Sequence, residues 1–429
     1  MTSDHTVPTT TPKGTGLAFA YVTTLFFAWG FVTSLIDPLI AAVRRVFELS
    51  LAEAMLTASA WFIAYGVASL PAAWILSRLG YSKAIIAALA TMVLGCLIVP
   101  AATAIDWYPG VLIALFVIAS GVTLLQVAAN PLSAALGSHK SAAFRLTFSQ
   151  AFNSLGTTLG PIIGSTVLLT GGVFAAGAVV TAATRGSSLR SIDFAFLAVG
   201  VFFAVVAIFI WTARKRITEA AAGSPIEVVS PLTAFKSKWA MFGALAIFIY
   251  VGSEVAIGGL LIPFLTQGDI LGIPAASAGH MVGFYWGGAM VGRFVGSALL
   301  TRIKPGVLLS VCTVAAAILA VVVTQTTGST AAYAALAIGL FNSIMFPTIF
   351  TLTLERSSAQ TSATSGLLVF GIIGGAILPL IAGKIADVAG SVTPAFVVPL
   401  LGYVCLTVFA VACARTQPRV TDVAVSSGH

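Results

Sequence analysis

Two carboxylic acids lie well inside long apolar runs of this chain, out of only 13 acids in 429 residues. Asp37 interrupts the stretch Gly16 to Val43, GLAFAYVTTLFFAWGFVTSLIDPLIAAV, and Glu254 lies near the middle of IFIYVGSEVAIGGLLIPF. An ionised Asp at the centre of a membrane-spanning helix costs about 2.5–3.5 kcal/mol, so such a residue faces protein or water and handles protons, ions or a polar solute. A carboxyl group in water-poor surroundings holds its proton more readily, and an approaching cation reverses this. Both acids are therefore candidates for coupling proton binding to conformation. Plainer readings stand beside these. Asp37 is close enough to the end of its run to snorkel to the outer interface, and Glu254 can serve as a neutral acid hydrogen-bonded to a neighbouring helix.

Arg293 is the one basic residue well inside an apolar run. It is a cavity ligand, an ion-pair partner closing a gate, or a side chain that snorkels, since its run ends nearby. The amides share helical faces: Gln126 and Asn130 are four apart, Gln150, Asn153 and Thr157 follow three- and four-residue spacing, and Ser34 stands three before Asp37. Amides offer both donors and acceptors, which suits a ligand covered in hydroxyls. A single such pair defaults to joining helices, worth ~0.6–2 kcal/mol, but three clusters near a buried carboxylate favour a binding site. The second half of the chain offers Asn342 and the aromatics Tyr285, Trp286 and Phe341, with Trp29 in the first. A flat ring under the C–H face of a sugar, rimmed by amides, is one use for such a set; lipid-facing positions are another.

These residues need a membrane around them. The chain is 59% hydrophobic and 8% charged, with mean hydropathy +1.05, against about 25% charged residues in soluble domains. Its apolar runs are continuous rather than alternating, which excludes a strand barrel. Nothing has the form of a nucleotide-binding loop, a metal cluster or a nucleophile with its base, so no metal, no cofactor and no enzymatic activity are expected. Cys96, Cys312, Cys405 and Cys413 all lie in apolar runs without ligand spacing and read as small core residues. The polar start, MTSDHTVPTTTPKGTG, lacks the form of a cleaved signal.

Twelve spans fit the pattern, at about 17–43, 55–77, 84–104, 110–135, 147–172, 193–213, 239–265, 278–300, 306–326, 331–354, 363–386 and 395–414. The stretch 171–191 is expected to lengthen span five or form an outer loop. With the N-terminus inside, fifteen of the 21 Lys and Arg fall on the inner side and five outside (Arg44, Arg45, Arg185, Arg190 and Lys384), leaving Arg293 in span eight. The bias places both termini in the cytoplasm and accounts for the formal net charge of +8 without nucleic acid. The domain reading is a tail 1–16, a six-helix half 17–213, a cytoplasmic linker 214–238, a second half 239–414 and a tail 415–429. The halves repeat. Arg78 pairs with Arg302, Gln126 and Pro131 with Asn342 and Pro347, and Asn153, Gly156 and Pro161 with Gly371, Gly374 and Pro379. Parallel six-helix halves are the architecture of major facilitator transporters, which hold substrate near the midplane between halves.

The motifs FFAWGFVTSLIDPLI, SGVTLLQVAANPLSAALG, RLTFSQAFNSLGTTLGPIIG, YVGSEVAIGG, YWGGAMVGRFVGSALL and FNSIMFPTIF together resemble the fucose/galactose/glucose–proton symporter family of the major facilitator superfamily, from span one to span eleven. The resemblance implies that Asp37 matches the family's proton-coupled aspartate, and that Gln150 and Asn153 match its sugar-contacting amides. Gln126 stands where fucose permeases carry a glutamate, which with Glu254 looks like the glucose/galactose branch. Ile36 replaces an asparagine usual before the aspartate, Ser34 a polar amide of some members, and Pro263 an asparagine. The loop SRLGYSK keeps Arg78 and Gly80 of the superfamily's loop motif but has Ser77 for its acid.

The expectation is an all-α inner-membrane protein of the major facilitator fold, importing a glucose- or galactose-type monosaccharide with a proton as a monomer in the lipid bilayer. Asp37 and Glu254 are expected to couple protons, with Arg78 and Arg293 at the gates. Ser34, Asp37, Gln126, Asn130, Gln150, Asn153, Tyr285, Trp286 and Asn342 are expected to form the sugar site. The alternative is export or antiport of another small polar solute. A non-transporting receptor would need a longer soluble output segment than the 25-residue central loop.

Overall fold

The computed structural model describes residues 15–34, 46–47, 51–168, 181–221 and 227–419. Asp37, together with Ile36, Arg44 and Arg45, lies outside them. Span one is the helix Thr15–Thr33. Spans two and three share Leu51–Ala104, broken at Gly80 (φ 72°, ψ 173°), a conformation that a residue without a Cβ adopts at no steric cost. Spans four to nine are Tyr108–Ala135, Ala142–Leu168, Ala182–Ala220, Lys238–Leu265, Ala275–Leu299 and Pro305–Gln325. Span ten is split into Gly328–Asn342 and Met345–Arg356. Span eleven is split into Thr361–Phe370 and Gly374–Ala389 around the turn Gly371–Ile373, and span twelve is Val397–Arg415.

Nine helices among the described residues are long and apolar enough to cross a membrane, and one of them, Trp61–Ala104, carries two spans. Spans five and eight, which hold the polar side chains of Gln150, Asn153 and Arg293, complete the twelve. Polarity is inverted relative to a soluble protein. Span six exposes Phe194, Leu197, Val201, Val205 and Ile208, while Gln126, Asn130, Gln150, Asn153 and Asn342 are buried. A hydrocarbon solvent dictates this, because an unpaired polar group facing it costs several kcal/mol.

Of the stretch 171–191, residues 171–180 lie outside those described. Residues 182–191 neither lengthen span five nor form a loop but begin span six, whose helix carries Arg190 within it. Thr103 of span three donates to Asp193 at 2.6 Å and anchors this first part. At its other end span six runs through Arg214, Lys215 and Arg216 to Ala220. There Ser82 hydrogen-bonds the Arg214 carbonyl (3.1 Å) and the Thr218 hydroxyl (3.0 Å), tying the turn after span two to it.

The repeat seen in the sequence corresponds to equivalent helix crossings. A Cβ on Gly156 of span five would meet the backbone of Phe27 and Phe31 in span one. One on Gly374 of span eleven would meet the backbone of Phe248 in span seven. Only glycine permits approaches this close. The halves meet along spans two and eleven, five and eight, four and eleven, and five and ten. Ser365 of span eleven donates to the Val127 carbonyl of span four at 2.7 Å, and Thr158 of span five lies 3.7 Å from Met290 Sδ of span eight. Two buried arginines finish helix ends whose last carbonyls lack intrahelical partners. Arg145 bonds the carbonyls of Ser133 and Ala134. Arg356 bonds those of Leu352, Cys413 and Thr416 at 3.1, 2.8 and 3.0 Å.

Candidate functional site

A cavity of about 310 Å³ opens between the halves, within the range of small-molecule sites (~300–1,000 Å³). Trp29 and Thr33 of span one, Trp61, Phe62 and Tyr65 of span two, Gln126 of span four, and Gln150 and Asn153 of span five line it from one half. Tyr250, Val251, Glu254 and Val255 of span seven, Arg293 of span eight, Phe346 of span ten and Ile372 of span eleven line it from the other.

In the first half the amides are held by bonds that leave part of their capacity free. Gln126 Nε2 donates to Tyr65 Oη at 2.8 Å. Gln150 Nε2 lies 3.4 Å from Asn130 Oδ1, and Asn153 Nδ2 donates to the Phe26 carbonyl of span one at 3.0 Å. Each amide therefore keeps its carbonyl oxygen and one N–H for a ligand.

The second half supplies charge. Tyr250, one turn before Glu254, places its hydroxyl 2.8 Å from Glu254 Oε1 and 3.1 Å from the Asn342 carbonyl. Arg293 is near enough to act on Glu254 electrostatically. Arg293 is itself held by the break in span ten. Pro347 lacks the N–H that the Ser343 carbonyl would otherwise receive, so the helix parts there and leaves that carbonyl an orphan. Arg293 Nε donates to it at 3.2 Å. The other end of the guanidinium crosses to span five, where it meets the Gln150 carbonyl at 3.5 Å and the Ser154 hydroxyl. One side chain thus joins spans eight, ten and five across the interface.

The structure brings Gln126, Gln150, Asn153, Glu254 and Arg293 to one cavity. Of the other expected site residues, Asp37 lies outside those described, and the rest stand away from the cavity wall. Asn130 is fully buried and stands behind Gln150. Ser34 turns its hydroxyl back to the Phe31 carbonyl at 2.8 Å, and its neighbour Thr33 faces the cavity instead. Tyr285 and Asn342 are fully buried behind Glu254. Asn342 donates to Tyr285 Oη (2.9 Å) and accepts from Tyr403 Oη (2.8 Å), and the Tyr285 hydroxyl reaches the Glu254 carbonyl at 3.3 Å. Their capacity goes into this scaffold. Trp286 is 45% exposed, edge-on to Tyr285 and against Gly258. It shares a helical face with Arg293 but lies two turns away, ~10 Å along the axis. Arg78 is exposed, its guanidinium 5.1 Å from the ring centroid of Trp74.

Trp61, Tyr65, Tyr250 and Phe346 line the cavity without having been expected there. Two signals pointed to the first three: Trp61 and Tyr65 are four apart in span two, and Tyr250 is four before Glu254, so each pair shares a helical face.

The sequence model of the Major Facilitator Superfamily matches residues 19–371. Among curated relatives, a glucose/galactose transporter of Brucella abortus biovar 1 (strain 9-941) is 41% identical over 395 residues, covering 92% of this chain and 93% of that protein. The L-fucose-proton symporter of Escherichia coli (strain K12) is 29% identical over 413 residues, covering 92% of each. Among solved structures, the crystal structure of the E. coli fucose:proton symporter superposes with a TM-score of 0.81 at 26% identity, covering 94% of this chain and 100% of that one. Twelve spans in two halves around a polar cavity agree with these likenesses, and the chain belongs to the Major Facilitator Superfamily as a multi-pass membrane transporter, not an enzyme.

Proposed function

We propose that this protein carries a neutral aldohexose, glucose or galactose, inward together with a proton by alternating access. The observation that carries the reading is the cavity between the halves. It combines amides with spare donors and acceptors, aromatic rings, a carboxylic acid and an arginine, the chemistry that binds a polyhydroxylated ring and responds to a proton. The names of the relatives, glucose/galactose transporter and L-fucose-proton symporter, support the substrate class and the coupling. Gln126, Gln150 and Asn153 contact the sugar, while Asp37 and Glu254 exchange the proton. Arg293, bonded across the interface, works as a gate, and Arg78 holds the turn after span two at the membrane surface.

The Lys and Arg distribution supports an inner-membrane placement with both termini and the 214–238 linker in the cytoplasm. One elementary charge crossing 100 mV is worth about 2.3 kcal/mol. A total driving force of ~150 mV would therefore sustain roughly a 300-fold sugar gradient.

Competition against labelled glucose uptake in proteoliposomes tests the substrate. Unlabelled glucose and galactose are expected to compete, and L-fucose to compete poorly. Strongest competition by L-fucose, or no hexose uptake at all, would sink the assignment.

A further inference from the structure

Tyr65 accepts a hydrogen bond and finds no acceptor for its own proton among the described residues. Gln126 Nε2 donates to its hydroxyl oxygen at 2.8 Å, and Trp61, one turn earlier in span two, stands beside it in the cavity wall. An indole N–H and an amide NH₂ only donate, so neither takes the phenol proton. Among the described residues no acceptor for it lies within hydrogen-bond reach. All three side chains line the cavity and are more than nine-tenths buried, at 8%, 5% and 8% exposure for Trp61, Tyr65 and Gln126. Water or a ligand in the cavity, which Tyr65 lines, can accept the phenol proton. With one N–H given to Tyr65, Gln126 keeps its carbonyl oxygen for the cavity.

We propose that Tyr65 O–H and Gln126 Oε1 form a fixed donor–acceptor pair that reads one particular hydroxyl of the sugar, with Tyr65 as a specificity-determining residue. The inference rests on the hexose reading above. A hydroxyl satisfies both groups at once, accepting from Tyr65 and donating to Gln126. A hydrogen at the same ring carbon satisfies neither and leaves two buried polar groups unpaired. A site built this way rejects the analogue lacking the hydroxyl far more strongly than an apolar pocket discriminates by size. The pair also depends on position 126 being an amide. An ionised carboxylate cannot donate, so Gln126→Glu would draw the phenol proton to itself and withdraw the donor from the sugar.

The test is a panel of monodeoxy hexoses, each lacking a different hydroxyl, competing against the labelled parent hexose in proteoliposomes. In the wild-type protein, removal of one hydroxyl should weaken competition roughly 10- to 100-fold. Tyr65→Phe should reduce the penalty at that one position to within a few-fold, while penalties at the other positions persist. Gln126→Glu should relieve the same position, which keeps the question answerable if the Tyr65 variant does not fold. A Tyr65→Phe protein that weakens every sugar alike, or leaves every penalty unchanged, would show that Tyr65 only packs and overturn the proposal. Failure of the hexose reading is distinct: it shows in the wild-type protein as no hexose uptake, before any variant is made.

Discussion

Gln150 and Asn153 sit one turn apart on span five, yet the bonds that hold them differ. Asn153 donates to the Phe26 backbone of span one at 3.0 Å, whereas Gln150 is held by a longer 3.4 Å contact to Asn130. Gln150→Ala therefore removes a ligand contact with little cost to packing, while Asn153→Ala also loses a bond between spans one and five. On the proposed reading Gln150→Ala weakens sugar binding by roughly 1–3 kcal/mol, about 5- to 150-fold in Kd, at a near-normal melting temperature. Calorimetric titration of the purified variant with glucose checks this, and an unchanged Kd would assign Gln150 to helix joining alone. The two acids separate by function. Asp37→Asn mimics a permanently protonated carboxyl and should abolish pH-driven accumulation while sparing exchange of labelled for unlabelled sugar. Full accumulation by that variant would move the proton to Glu254, which Tyr250 and Arg293 already attend.

At the scale of elements, the glycines of spans five and eleven fix how closely each half closes on itself. A Cβ on Gly374 would run into the backbone of Phe248, which has no flexible end to give way, whereas Gly283 in span eight has open space around it. Gly374→Ala should destabilise the protein by about 1–3 kcal/mol, and Gly283→Ala should leave its thermal unfolding in detergent near that of the wild type. Equal behaviour of the two variants would contradict the crossing. The break in span ten bears on the interface. Arg293 caps the carbonyl that Pro347 orphans and reaches span five with the same side chain, so Arg293→Met loses both ties. It should move the balance between open states by roughly 5- to 150-fold for a loss of about 1–3 kcal/mol. Distances between spin labels on the two halves, measured by pulsed electron resonance, report that shift. An unchanged distribution would remove Arg293 from the gate.

What the sequence made legible follows the same division. The apolar runs located all twelve spans, because hydropathy over ~20 residues directly reflects the solvent a helix must cross. Side-chain type and i, i+4 spacing selected Gln126, Gln150, Asn153, Glu254 and Arg293, since amides and charges within a span have few places to go but inward. Trp286, Tyr285 and Asn342, named for side-chain type alone, lie outside the cavity wall. Helical periodicity gives the face of a residue but neither its depth along the axis nor the neighbours that take up its hydrogen bonds. Tyr403, which accounts for Asn342 by a 2.8 Å bond, is 61 residues away in sequence and unreadable from it. The start of span six was misread for a related reason: what anchors its polar first turns is Thr103, 90 residues earlier.

For the molecule as a whole, the claim that matters is that a proton gradient drives a hexose inward through the cavity between the halves. Purified protein in vesicles buffered alkaline inside is diluted into acidic medium containing labelled glucose, and internal sugar is followed with and without a protonophore. Transient accumulation well above the external concentration, collapsing when the protonophore is added, is the predicted result. Uptake that only equilibrates and ignores the pH step, or sugar leaving vesicles preloaded with it as protons enter, would contradict the account.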